Sequence, residues 1–111
     1  ALSLLNDPQF VETAKSLAYR MKKEGGNSLK NQLEIGFLLT LSRKPSNKEL
    51  AIMSDLYSIE LSKFTTNNDK ALEYLSVGDY EVSKEFPIDE MAAMTMVANT
   101  LFNMDEMYIK R

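Results

Sequence analysis

The chain has 111 residues, a length that fits one domain, because folding at this size removes roughly two thirds of the unfolded chain's surface from water. Hydrophobic residues make up 44%, charged residues 26% and the net charge is −3, a composition that excludes a disordered chain. No stretch of the sequence approaches the 18 or more apolar residues of a membrane span. The absence of Cys and His excludes the common acyl-transfer triads, thiol catalysis, Cys/His zinc sites and the Cys-x-x-Cys-His attachment of c-type haem within this segment.

The first predicted helix covers about residues 8–23. Asp7 can accept backbone N–H bonds as its N-cap, and Pro8 has its φ preset for the first helical position. Gly25 and Gly26 follow where a left-handed terminator is needed. The apolar positions at helical spacing are Phe10, Ala14, Leu17, Ala18 and Met21. The opposite, solvated face is predicted to carry Glu12, Lys15, Arg20 and Lys22.

Charge is distributed unevenly along the chain. Residues 1–50 hold eight Lys/Arg against five Asp/Glu, a balance of +3, whereas residues 51–111 hold five against eleven, a balance of −6. The asymmetry leaves a homo-oligomer possible. Five of these eight basic residues fall within residues 15–30: Lys15, Arg20, Lys22, Lys23 and Lys30. Because they are few and interleaved with acids, they predict a solvated face and no nucleic-acid partner.

The second predicted helix follows Ser28, a favourable N-cap, and stops before Pro45. One stripe consists of Leu29, Leu33, Phe37 and Leu41, and it is widened by Ile35, Leu38 and Leu39. So broad an apolar surface predicts burial on two sides.

The third helix should begin with a capping box, in which the Ser46 hydroxyl serves the N–H of Glu49 and the Glu49 carboxylate reaches back to Ser46. Its apolar positions are Leu50, Met53, Leu56, Tyr57, Leu61 and Phe64. Asn67 or Asn68 can cap a short fourth helix over 69–77, ended by Gly78, with Ala71, Leu72 and Leu75 facing inward. The polar composition of residues 79–88 predicts a loop, which Phe86 should anchor to the core.

The last helix is predicted to be the centre of the bundle. From Met91 to Met104, fourteen consecutive residues carry no charge. A helix that is apolar nearly all round is usually buried. The alternative is that one side is covered by an upstream part of the protein or by a second copy. Asp105 can cap a further turn that ends the chain.

Carboxylate pairs and methionines are the remaining candidates for function. Asp89-Glu90 and Asp105-Glu106 are sequence neighbours at predicted helix starts, where capping and the helix dipole explain them. Most of the seven Met fall on apolar stripes and predict core filling. An adaptable partner surface, if there is one, would use Met94, Met104 and Met107. The sequence therefore predicts no catalytic, cofactor-binding or metal-binding residue.

Three stretches together resemble a known family. They are Leu-Leu-Asn-Asp-Pro-Gln-Phe-Val at 4–11, Arg43-Lys44-Pro45-Ser46 with Glu49-Leu50, and Asn-Thr-Leu-Phe-Asn-Met-Asp-Glu at 99–106. In this order they resemble the carboxy-terminal part of domain of unknown function 1553. The resemblance implies a large exported protein, often with a c-type cytochrome module near its amino terminus, and it carries over no catalytic residue. The start at Ala1 without Met also predicts that residues 1–111 form a single helical domain of a longer protein.

Three functions remain open at this point. The leading hypothesis is a non-catalytic helical interaction or scaffolding domain whose partners are the upstream domains of the same protein. The rival is part of an enzyme or electron-transfer site completed upstream, with the candidates Asp89, Glu90, Asn103, Asp105 and Glu106. A third hypothesis is a cytosolic adaptor. An export signal encoded by the parent gene would exclude it.

Overall fold

The computed structural model describes the backbone of residues 8–76 and 85–109 and the side chains of residues 11–76 and 85–104. Every regular element in these ranges is helical, which confirms the all-α fold class and the compact bundle. The elements are α1 (Pro8–Gly25), α2 (Leu29–Leu41), α3 (Asn47–Thr66), α4 (Asn68–Leu75) and α5 (Ile88–Ile109).

Helix α5 is the central element of the bundle, as predicted. It packs against each of the other four helices. Its buried residues are Met91, Ala92, Ala93, Met94, Thr95, Val97, Ala98, Asn99 and Leu101. Because α5 is apolar on nearly all sides, other helices can pack around it without burying a charge. Most of its uncharged run, residues 91–104, therefore lies in the core.

The N-terminal caps predicted for three helices are confirmed. The Ser28 hydroxyl accepts from the N–H of Asn31 at 3.2 Å, and the Asn67 side chain accepts from the N–H of Lys70 at 3.2 Å. Ser46 and Glu49 form the reciprocal capping box, with distances of 3.1 Å and 2.9 Å. Each cap satisfies an N–H group that has no partner within its own helix, which fixes where the helix begins.

Three predicted helix boundaries differ from the structure. Helix α1 runs two residues further, to Gly25, and Gly26 takes the left-handed conformation at φ 67° that ends it. Helix α4 spans Asn68–Leu75, and the proposed terminator Gly78 lies outside the described residues. Helix α5 already begins at Ile88 and continues without a break through Asp105, so no new turn is capped there.

Two of the lysines predicted on a solvated face are instead buried. Lys15 is 1% exposed and Lys22 is 5% exposed, because both point from α1 towards neighbouring helices. Their amines are stabilised by polar partners inside the bundle: Lys15 Nζ donates to the carbonyl oxygen of Leu75 at 2.7 Å, and Lys22 pairs with Glu90. Burying a charge is costly unless it is paired, and these contacts supply the compensation.

Several apolar side chains predicted to face inward lie on the surface. Leu38 and Leu39 of α2 and Leu72 of α4 are all exposed. Helix α2 therefore buries one side of its broad apolar surface, with Leu33 and Phe37 in the core, and leaves the other side uncovered by the described residues. The prediction that α2 is buried on two sides is wrong for the described part of the chain.

Candidate functional site

A partly open polar pocket lies where α1, α2, α3 and the start of α5 meet. We call it the Lys22 pocket, and its volume is about 300 Å³. It is lined by Lys22, Gly26, Asn27, Leu29, Gln32, Tyr57, Leu61, Phe86 and Glu90. A volume of this size is at the lower end of the range of about 300–1,000 Å³ for small-molecule sites.

Lys22 supplies a buried positive charge to the pocket. Its Nζ donates to Glu90 Oε1 at 2.7 Å, and the Glu90 side chain is 38% exposed. The same Nζ lies 5.9 Å from the centre of the Tyr57 ring and 5.5 Å from that of Phe86. Both rings attract a cation through their π-faces. The ion pair makes the centre of the pocket close to neutral overall.

The elements that position Lys22 are held by the turn between α1 and α2. Gly26 ends α1 one turn after Lys22, and its carbonyl oxygen accepts from Gln32 Nε2 at 2.6 Å. Gly25 allows this turn to close, since a Cβ there would lie 2.5 Å from the backbone Cα and N of Gln32. The close approach brings Gln32 of α2 beside Lys22 of α1.

The segment before α5 supplies the aromatic wall at Phe86. The Phe86 ring meets the Tyr19 ring of α1 edge-on, with centroids 6.0 Å apart. Glu85 accepts hydrogen bonds from the Tyr19 hydroxyl and from Lys23 Nζ. These contacts lower the pKa of Glu85, the Tyr19 hydrogen bond being the larger cause. The prediction that Phe86 pins this segment to the core is confirmed.

Tyr57 and Gln32 carry polar atoms that the described residues leave without partners. Tyr57 is 8% exposed, and none of the described residues hydrogen-bonds to its hydroxyl. Burial raises the pKa of Tyr57 to about 12, with further contributions from the negative charges of Glu90 and Asp89, so the phenol stays protonated. Gln32 is also buried, and its side-chain oxygen has no hydrogen-bond partner within the described ranges. Both residues line the pocket.

Asp89, Glu90 and Asn103, the residues of the rival hypothesis whose side chains the structure describes, do not converge. Glu90 lines the Lys22 pocket, and the neighbouring Asp89 accepts from Thr65 Oγ1 at 2.6 Å, outside the lining. Asn103 lies on the same helix thirteen residues after Glu90, which corresponds to about 20 Å along the axis. Asp105 and Glu106 follow Asn103 on α5, and their side chains lie outside the described set.

The predicted core filling by methionines is confirmed for most of those that the structure describes, and Asp89-Glu90 lies in the first turn of α5 as predicted, whereas the helix start predicted at Asp105 is wrong. Glu90 makes an ion pair with Lys22, in addition to its favourable place in the first turn of α5. Asp105-Glu106 lies inside a continuous helix and does not cap one. Met94 is fully buried and Met104 packs partly buried against the core, whereas the side chain of Met107 is not described. Met94 is thus excluded from a surface patch.

A second feature is an exposed apolar surface on α2, which we call the α2 apolar face and define as the exposed Leu38 and Leu39 together with Ile35, which is half-buried and also packs against the core. Leu38 is 54% exposed. Ile35 and Leu38 line a depression of about 260 Å³ together with Glu24, Asn31, Glu34 and Lys44. The three apolar residues are spaced by three and four positions and therefore share one side of the helix.

A third feature is a group of buried polar side chains between α3, α4 and α5. Tyr74 stacks on Phe64 with ring centroids 6.1 Å apart, and Asn99 is 2% exposed. Within the described structure, neither the Tyr74 hydroxyl nor the Asn99 side-chain nitrogen has a well-formed hydrogen bond. Burial raises the pKa of Tyr74, the nearby Asn99 amide opposes the rise, and Glu60 adds to it.

Sequence reasoning missed Lys22, Gln32 and Tyr57 as pocket residues, although one signal was present. Lys22 follows the apolar residue Ala18 by four positions, as Lys15 follows Val11, so all four share one side of α1. A lysine on the buried side of a helix indicates an internal partner. No comparable pattern marks Gln32 or Tyr57, whose exposure depends on how the helices cross.

The described residues contain no group of three or more Asp, Glu, His or Cys placed to hold a metal ion. In the same ranges, no helix combines the length and the apolar character needed to cross a membrane. In the part of the chain that the structure describes, the fold and site define a small helical-bundle domain that has a polar pocket and an exposed apolar helix face. The chain belongs to the PSD1 family, described as protein of unknown function (DUF1553), whose profile matches residues 1–57. No curated protein and no solved structure gives a significant match.

The family match covers two of the three stretches that carry the resemblance. Residues 4–11 and 43–50 fall inside the matched region, whereas 99–106 lie beyond it. Membership of the family is therefore shown. The placement of the chain in the carboxy-terminal part of the family's proteins, and the association with a cytochrome module, remain predictions from the resemblance.

Proposed function

We propose that this chain is a non-catalytic interaction or scaffolding domain of a larger exported, cytochrome-c-associated protein, and that its α2 apolar face docks onto the upstream part of the same polypeptide. The observation that carries the proposal is the second apolar side of α2, with Leu38 and Leu39 exposed. Helix α2 has enough apolar surface for two interfaces, and the described residues cover one.

The chemistry of the depression supports a protein partner. Its lining combines the apolar Ile35 and Leu38 with side chains of both signs of charge, Glu24, Glu34 and Lys44. An apolar centre within a polar rim is the usual anatomy of a protein interface. We assign the partner as the preceding part of the same polypeptide, because the resemblance implies that this domain follows others in one chain.

The export and cytochrome parts of the proposal rest on the resemblance alone. They are tested by the parent gene, which should encode an export signal and a Cys-x-x-Cys-His sequence upstream. A gene with neither would leave a cytosolic adaptor as the better reading of the same apolar face.

The docking part is tested by size-exclusion chromatography of this chain mixed with the remaining parent polypeptide. Leu38→Glu places a charge in the centre of the depression and should weaken the complex by about tenfold or more, since desolvating an unpaired carboxylate costs more than 1.4 kcal/mol. Ile59→Glu is the matched control, because Ile59 on α3 has the same 54% exposure as Leu38. The proposal would be refuted if the parent polypeptide and the wild-type chain eluted separately, with no complex between them.

A second candidate function is part of an enzyme or electron-transfer site completed upstream. Its support is Glu90, which lines the Lys22 pocket, whereas Asp89 and Asn103, the other two candidates with described side chains, do not. The separation of Glu90 from Asn103 along α5 weighs against a shared cleft. If Glu90→Gln abolished an activity of the full protein while leaving its assembly unchanged, this second function would replace the first.

A further inference from the structure

The Lys22 pocket combines three buried polar side chains with open space. Lys22, Gln32 and Tyr57 are each more than nine-tenths buried, and all three line the same cavity of about 300 Å³. The Tyr57 hydroxyl and the Gln32 side-chain oxygen have no hydrogen-bond partner among the described residues, and neither is one of the fully buried unpartnered atoms. Both residues line the pocket, so a ligand there can take the place of water at these two atoms.

The charges of the pocket argue against an ionic ligand. The positive charge of Lys22 is already matched by Glu90 at 2.7 Å, so an added anion gains little and meets the carboxylates of Glu90 and Asp89. An added cation meets the Lys22 amine between its two aromatic rings. A neutral molecule avoids both penalties.

The hydrogen-bonding groups of the pocket alternate between donors and acceptors. Tyr57 offers an O–H, because its phenol stays protonated, and Lys22 has N–H groups beyond the one that Glu90 accepts. Gln32 offers its side-chain oxygen, and Glu90 offers its second carboxylate oxygen. A hydroxyl group both donates and accepts, so a molecule with neighbouring hydroxyls matches this pattern.

The walls of the pocket suit the carbon skeleton of such a molecule. Tyr57 and Phe86 present aromatic rings, and Leu29 and Leu61 add aliphatic surface. Ligand sites commonly combine an apolar wall with a few polar groups that fix orientation. We propose that the Lys22 pocket binds a neutral, hydroxyl-rich small molecule of the size of one sugar ring or cyclic polyol, held between Tyr57, Gln32 and the Lys22–Glu90 pair.

The proposal is tested by titrating the full chain with D-glucose and with myo-inositol while following backbone amide resonances by NMR. Acetate and methylammonium serve as the anionic and the cationic probe. We expect saturable shifts at Gly26, Asn27 and Phe86 with at least one neutral probe, at a dissociation constant of about 1 mM or below. The ionic probes should give no saturable shift at these residues.

Tyr57→Phe removes only the hydroxyl that has no partner among the described residues. It should lower the affinity for the neutral probe by about fivefold, which is within the range for the loss of one hydrogen bond. Tyr74→Phe is the matched control, because Tyr74 also has a buried hydroxyl without a partner among the described residues and does not line this pocket. Its affinity should stay within about twofold of the wild type.

Three results would overturn the proposal. One is the absence of saturable shifts with either neutral probe in the wild-type chain, a measurement that does not depend on any variant folding. Another is tighter binding of acetate or methylammonium than of the neutral probes. The last is an equal loss of affinity in Tyr57→Phe and Tyr74→Phe, which would place the effect in the fold instead of the pocket.

Discussion

The side-chain nitrogen of Lys15 on α1 donates a hydrogen bond of 2.7 Å to the carbonyl oxygen of Leu75, the last residue of α4. The carbonyls of a last helical turn have no partner within their own helix, and a lysine amine can satisfy them. Lys15 is almost fully buried. Its hydrogen bond joins α1 to α4 through two residues that are sixty positions apart in the chain.

Replacing Lys15 by Met keeps the length of the side chain and removes its amine. The carbonyl oxygen of Leu75 then loses this donor, and we expect the free energy of unfolding to fall by about 1–3 kcal/mol. Urea denaturation followed by circular dichroism measures the change as a lower midpoint at constant slope. Lys30→Met on the exposed side of α2 is the matched control, expected to stay within about 0.5 kcal/mol of the wild type.

Glu49 should make stability depend on pH in the acidic range. Two hydrogen bonds of 2.7 Å from Arg43, and one from the Ser46 N–H, lower the pKa of Glu49 from 4.5 to about 2. Because the folded-state pKa is the lower one, the stabilisation is complete above pH 4.5 and is lost as the pH falls towards 2.

The variant Glu49→Gln keeps the capping oxygen and removes the charge. We expect it to lower the free energy of unfolding by about 1 kcal/mol at pH 7, a figure reduced for partial solvent screening. The gap should close as the pH approaches 2. Glu73→Gln, at an exposed position of α4, is the control and should show no such trend. A gap that stays constant with pH would contradict the assigned role of the Arg43–Glu49 pair.

The turn between α1 and α2 should tolerate different substitutions at its two glycines. Gly25→Ala places a Cβ 2.5 Å from the backbone of Gln32, which cannot move without separating the helices, and should cost about 1–3 kcal/mol. Gly26 has open space around it but a φ of 67°, so Gly26→Asn should cost well under about 1 kcal/mol. Thermal unfolding of both variants checks this order, and a more stable Gly25→Ala would contradict the close approach.

The buried amide of Asn99 should contribute little to stability. Its side-chain nitrogen has no hydrogen-bond partner within the described structure, and Asn99→Leu removes this nitrogen while keeping a similar side-chain volume. We expect the free energy of unfolding to stay constant or to rise by about 1 kcal/mol. Asn99→Asp should instead lower it by several kcal/mol, because it places a carboxylate in the core. A loss above about 2 kcal/mol in Asn99→Leu would show that the amide is satisfied.

The sequence predicted the helices well because their signals are local. Ser28, Ser46 and Asn67 act on N–H groups within three residues, and the uncharged run of α5 marks a buried helix without reference to any partner. The end predicted at Asp105 failed because an acidic residue can begin a helix or sit inside one, and only the neighbouring packing decides.

The site was less predictable because it depends on how helices cross. Lys15 and Lys22 look like surface residues by composition, yet the crossing of α1 with α4 and α5 buries both. Leu38 and Leu72 look like core residues by the same rule, yet their sides of α2 and α4 face outward. The Lys22 pocket draws residues from four separate parts of the chain, which no local pattern brings together.

The central claim, that the α2 apolar face docks onto the upstream polypeptide, is tested most directly by comparing methyl accessibility in the isolated chain and in the full parent protein. A soluble paramagnetic agent broadens the NMR signals of exposed methyl groups. In the isolated chain, Leu38 should be broadened as strongly as Ile59, because both are 54% exposed, and Leu39, at 40%, somewhat less. If the α2 apolar face is covered in the parent protein, the methyl signals of Leu38 and Leu39 should be broadened less there than in the isolated chain. Equal broadening of these methyl signals in both samples would contradict the docking of this face.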